Sequence, residues 1–113
     1  MEWSQKWSAK KMKKSLLLEI KEEARNDILN AAAWYREKQE GLDKKFITAV
    51  QRTLIKIVNN PESGNKIYKT YRQTIVKKFP YVVIYSIIFD SIVILQVFNT
   101  WQNPKKKLKG LKK

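Results

Sequence analysis

The chain has no cysteine and no histidine. The first absence excludes disulfides, thiolate nucleophiles and Cys-based zinc sites. The second removes imidazole, the side chain that titrates nearest neutral pH. Acids are scarce too, ten against 24 Lys and Arg, and the deficit is uneven. After residue 65 the only acid is Asp90, set against eleven Lys and Arg. Long apolar runs are also missing. A bilayer-spanning helix needs about 18 consecutive apolar residues, whereas the longest run here, Tyr81 to Phe89, is interrupted at Ser86 and has the length of a strand. Leu16-Leu17-Leu18 is cut off by Glu19, too short for the core of a secretory signal, so the sequence reads as cytoplasmic with no membrane partner. No Gly-rich phosphate loop and no Ser-His-Asp set is present, and no cofactor is expected.

What is there suits one domain with a modest core: 113 residues, 43% hydrophobic, net charge +14. Residues 1–14 read as a basic extension in which Trp3 and Trp7 lie four apart; Met12 is a plausible alternative start. Residues 15–104 read as the domain, and residues 105–113 as a basic tail. The asymmetric charge points to acidic partners, whether nucleic acid, an acidic protein segment or an anionic surface.

Ser15 to Ile20 reads as a first strand. In the helical stretch that follows, Ala24, Ile28, Ala31, Ala32 and Tyr35 recur at steps of three and four and form one apolar face. Gly41 is a helix stop, because it reaches positive φ without a Cβ clash. A second helix carries the stripe Phe46, Ala49, Val50, Leu54, Ile57 and Val58 and ends before Pro61. So short a link predicts an antiparallel helical hairpin. From Ile67 the pattern is β, with a bend at Phe79-Pro80 and a hairpin about Asp90. The near-continuous apolar runs either side of Asp90 suit central strands covered by the helices. The predicted fold is α+β: a strand and a helical hairpin packed on an antiparallel β-meander.

Several groups are candidates for chemistry or binding. Arg72, Lys77 and Lys78 read as one strand, with 72 and 78 on the same face, fit either to clamp an acidic partner or phosphates or to form a solvated strand edge. Tyr81 and Tyr85 share a face and suit core packing or base stacking. Asn99, Trp101, Gln102 and Asn103 close the last strand and offer hydrogen bonds and a rigid anchor to a protein partner, unless Trp101 caps the core. Lys105 opens the basic tail. Glu22, Glu23 and Asp27 read as the charged start of a helix rather than a metal site.

The pieces A-R-N-D-I-L-N-A-A-A-W-Y, G-L-D-K-K-F, N-N-P, Y-R-Q-T-I-V-K-K-F-P-Y-V-V-I-Y and V-F-N-T-W-Q-N-P, in this order, resemble the RelE/ParE family of toxins from type II toxin–antitoxin pairs. Phe79-Pro80-Tyr81 and Asn103-Pro104 lean to the ParE side. The resemblance implies a growth-inhibiting protein held by a cognate antitoxin in a hetero-oligomer. ParE-type members are associated with DNA gyrase, and RelE-type members cut mRNA on the ribosome. RelE-type members favour Arg after the tyrosine matched by Tyr81, where this chain has Val82. They also want an Arg near the end of the sheet, where this chain has Asn99, Thr100 and Trp101. The expectation is therefore a ParE-like toxin that binds its target without chemistry of its own. The alternatives are a RelE-like, metal-independent endoribonuclease and an inactive relative that keeps only antitoxin binding.

Overall fold

A computed structural model describes residues 17–102. The chain opens with strand β1 (Leu17–Ile20) and turns at Lys21 into helix α1 (Glu22–Lys38). All five residues of the expected apolar stripe on α1 are buried. Gly41 has φ 87°, the left-handed conformation that a Cβ disfavours, and launches helix α2 (Leu42–Asn59). Phe46, Val50, Leu54, Ile57 and Val58 of α2 are buried, and Ala49 is partly covered. A 3-10 turn (Pro61–Ser63) leads to β2 (Asn65–Tyr68), β3 (Tyr71–Ile75), β4 (Tyr81–Ile88) and β5 (Ser91–Asn99).

These strands form one sheet in the order β1-β5-β4-β3-β2. The last four make the antiparallel meander, while β1 adds to its edge in parallel with β5, Leu17 opposite Ser91 and Ile20 opposite Ile94. The fold is α+β, with the helical hairpin on one face of the sheet. There Ile28, Phe46, Leu54 and Ile57 from the helices meet Val83, Tyr85, Ile92 and Ile94 from the strands. Period-two alternation sends Val82, Ile84, Val93 and Phe98 to the other face, where they form a second apolar cluster with Ile67, Tyr68 and Tyr71 packed against it.

Three features depart from the expected pattern. β2 is a strand of its own, hydrogen-bonded to β3 through a two-residue turn at Lys69-Thr70. Lys77 and Lys78 do not continue the strand of Arg72. β3 stops at Ile75, and both lysines stand exposed in the β3–β4 turn, Lys78 with φ 72°. The cause is a tight closure: the Val76 N–H donates to the Tyr81 carbonyl at 2.9 Å and the Phe79 N–H to the Val76 carbonyl at 3.2 Å, so residues 77 and 78 stand in the reversal itself. Finally, the described positive charge after residue 65 is unevenly spread over the sheet. β4 and β5 are apolar and mostly buried, and the described cations after residue 65 sit on β2, β3 and the turns.

Candidate functional site

A cleft of about 640 Å³ lies between α1 and the end of β5. Its construction follows from β1 being short. β1 covers β5 only from Ser91 to Ile94; the Lys21 N–H then donates to the Ile94 carbonyl at 2.9 Å and the chain turns into α1. Beyond that point no strand of the described residues pairs with β5 on the edge that β1 occupies, and α1 crosses in its place. A register shift opposite Ile84 and Tyr85 leaves Leu95 without a cross-strand partner. Such a bulge re-aims the residues after it. Gln96 then reaches α1, its Nε2 donating to Glu23 Oε2 at 3.1 Å, and the Val97 N–H donates to Asp27 Oδ2 at 3.0 Å. Asp27 thus takes up a backbone donor that β1 is too short to meet.

The cleft combines acids and aromatic rings. Glu23, Asp27, Asn30 and Trp34 line it from α1, Tyr35 and Tyr81 from the core side, and Asn99, Trp101 and Gln102 from the segment closing β5. Tyr81 belongs to an aromatic nest with Tyr35, Phe46 and Phe79; its ring centroid is 5.0 Å from that of Phe46. Asn99 holds the rim, its Nδ2 facing the Tyr81 hydroxyl at 3.4 Å while its Oδ1 accepts the Trp101 N–H at 2.8 Å. Trp101 is 79% exposed and does not cap the core; Trp34 on the facing wall is half exposed.

The electrostatics of the cleft are unlike those of the whole molecule. Asp27 is pushed up from its ordinary 3.8 to about 6, chiefly by burial; the Val97 N–H opposes the shift and the Glu23 charge adds to it. Burial also raises the Tyr81 phenol, with the Asn99 side chain opposing and Asp27 adding. Tyr35 rises by burial and by the presence of Tyr81. Among the described residues neither Glu23 nor Asp27 has an ion pair; the two pairs found are Lys21–Glu19 and Arg36–Asp43. No metal-holding group of three or more carboxylates gathers among the described residues.

The expected site residues separate into three places. Tyr81, Asn99, Trp101 and Gln102 meet in the cleft. Lys77 and Lys78 flank it at the same end of the sheet, because the Thr100 N–H and hydroxyl both donate to the Pro80 carbonyl, at 2.8 and 3.1 Å. Arg72 is elsewhere and is engaged in the fold: its NH1 donates to the carbonyls of Glu62 at 2.9 Å and Gly64 at 2.8 Å. Tyr85 is engaged likewise, its hydroxyl donating to the Pro61 carbonyl at 2.6 Å and accepting the Gly64 N–H at 3.0 Å. Lys105 and Asn103 lie outside the described residues. Sequence reasoning missed the α1 wall. Its signal is the stripe Glu23, Asp27, Asn30, Trp34, which runs one residue behind the buried stripe Ala24, Ile28, Ala31, Tyr35 and so borders the core.

A strand and a helical hairpin packed on a meander, with this cleft at one end, define a small α+β protein. A solved chain of the chromosomal ParDE TA system from P. aeruginosa shares the fold, with a TM-score of 0.60 at 18% identity over 74% of this chain and 95% of that one. The family model described as the ParE toxin of the type II toxin–antitoxin system, parDE, matches residues 18–104, and the chain belongs to that family. No curated protein matches it. Among the described residues no helix is long and apolar enough to cross a membrane.

Proposed function

We propose that this chain is a ParE-like poison that binds its target, DNA gyrase, without catalysing a reaction, and that a cognate antitoxin neutralises it. The observation that carries this reading is the surrounding of Val82. It is 3% exposed within the apolar cluster of Ile84 and Phe98, so the position after Tyr81 serves packing. Metal-free RNA cleavage needs a proton acceptor, a proton donor and phosphate-binding cations around one ribose. Arg72 and the Tyr85 hydroxyl are instead spent on backbone groups around Pro61 to Gly64. The exposed lysines of the β3–β4 turn and the Trp101 rim form a surface that suits contact with a macromolecule.

The test pairs two assays on purified protein freed of antitoxin and shown to be folded. Gyrase supercoiling should be inhibited, and translating ribosomes should show no codon-positioned cleavage. Trp101→Ala and Lys78→Ala should each weaken gyrase inhibition several-fold. Cleaved message with supercoiling untouched would transfer the protein to the RelE-like class. Silence in both assays would make it an inactive relative that keeps antitoxin binding.

A further inference from the structure

In a chain of net charge +14, the cleft between α1 and the end of β5 is an acidic exception. The described residues set no cation against Glu23 or Asp27, although Lys77 and Lys78 stand at the same end of the sheet. The carboxylates are not idle, since each already accepts one hydrogen bond from β5. A carboxylate has about four acceptor sites, so both keep capacity toward the open side. Two indole rings, Trp34 and Trp101, line the same cleft, both at least half exposed. Trp34 already attracts a cation to its face, Lys38 Nζ at 4.9 Å from the ring centroid. Carboxylates that can accept a planar fork of donors, beside aromatic faces that can stack on it, match a guanidinium better than any other protein side chain.

We propose that this cleft receives an arginine side chain from an antitoxin segment, its guanidinium against Glu23 and Asp27 and its apolar neighbours against Trp34 and Trp101. The proposal rests on the reading that an antitoxin holds the chain, and it names the chemistry of the contact. The charge arrangement favours that source. A segment attracted to this basic chain is acidic overall. A single basic residue within it is repelled by the exposed lysines of the β3–β4 turn and is matched by the neighbouring carboxylates of the cleft, where two acids and two indole rings converge. The arginine thereby fixes register and orientation, which is the usual service of an isolated charge in an interface.

The test uses the full chain, isotopically labelled, and three blocked tripeptides: Leu-Arg-Leu, Leu-Gln-Leu and Leu-Glu-Leu. Titration is followed by NMR at the indole N–H signals of Trp34 and Trp101. The Arg peptide should shift both signals and bind about tenfold more tightly than the Gln peptide, the scale of one charge-assisted contact. The Glu peptide should bind weakest. In the double variant E23Q/D27N the advantage of Arg should vanish while the circular-dichroism spectrum stays that of the parent; Trp101→Ala should weaken all three peptides and keep their order. Chain purified in complex with its antitoxin should not bind the Arg peptide. Equal binding of the three peptides, an Arg preference that survives E23Q/D27N, or undiminished binding to the complex would each overturn the proposal. The free-chain titrations contain neither gyrase nor antitoxin. A failed supercoiling assay beside an intact Arg preference would therefore count against the proposed target and leave the cleft's preference standing.

Discussion

Asp27 and Asp43 are both helix-borne acids near buried surface, and their environments drive them in opposite directions. For Asp43 burial alone would raise the carboxyl, but hydrogen bonds from the Arg36 side chain and from the backbone N–H groups of Lys44 and of Asp43 itself outweigh it and hold the group below its ordinary range. Its contribution is therefore present above the unfolded pKa and is lost as pH falls through the folded one. Asp27 is raised to about 6, by burial first, against the Val97 N–H and with the Glu23 charge. Folding tightens its proton, so its effect on stability worsens as pH rises from its unfolded value of 3.8 to about 6. Asp27→Asn keeps an amide oxygen for the Val97 N–H and removes the charge. The variant should be more stable than the parent at pH 7, by about 1 kcal/mol once solvent screening of a part-exposed group is allowed for. Near pH 4 the difference should close. Urea unfolding at the two pH values measures it, and a variant less stable than the parent at both would show that the carboxylate's charge is needed at Val97.

At the scale of elements, the helical hairpin is pinned to the sheet by rings. Phe46 is fully buried, with its centroid 5.2 Å from Tyr35, 5.3 Å from Phe79 and 5.0 Å from Tyr81. It therefore joins α1, α2, the β3–β4 turn and β4. Phe46→Ala should cost about 3–5 kcal/mol, a large share of the roughly 5–15 kcal/mol available to a domain. A loss below about 1 kcal/mol in urea unfolding would mean that the nest does not hold the elements together. The helices were legible because their apolar stripes repeat with the period of the helix, and Gly41 and Pro61 punctuate them. The β4–β5 hairpin was legible because two apolar runs flank a single acid. What stayed hidden depended on distant pairing. β2 is four residues long and half exposed, β1 pairs in parallel with a strand near the other end of the chain, and the Leu95 bulge exists only relative to β4. The cleft was half legible for the same reason. Asn99, Trp101 and Gln102 stood out as a polar-aromatic close to the last strand. Asp27 read only as a helix-start acid, because its partner Val97 is 70 residues away.

On the scale of the whole molecule, two electrostatic fields of different reach act on any partner. The net charge of +14 acts at long range and steers acidic molecules inward, a contribution that salt screens over about 10 Å. The Glu23–Asp27 cleft acts only at contact and has the opposite sign. The first should govern how fast an acidic antitoxin segment arrives, the second how long it stays. Association followed by stopped flow should slow by about tenfold or more between 50 and 300 mM salt, the behaviour of steered encounters. The dissociation rate should change little over that range, because a seated contact excludes solvent. E23Q/D27N should do the reverse, with nearly unchanged association and faster release. An association rate indifferent to salt would remove steering from the account. A double variant that changed only association would show that the cleft's carboxylates act as part of the molecule's long-range field and not as a seat for the partner.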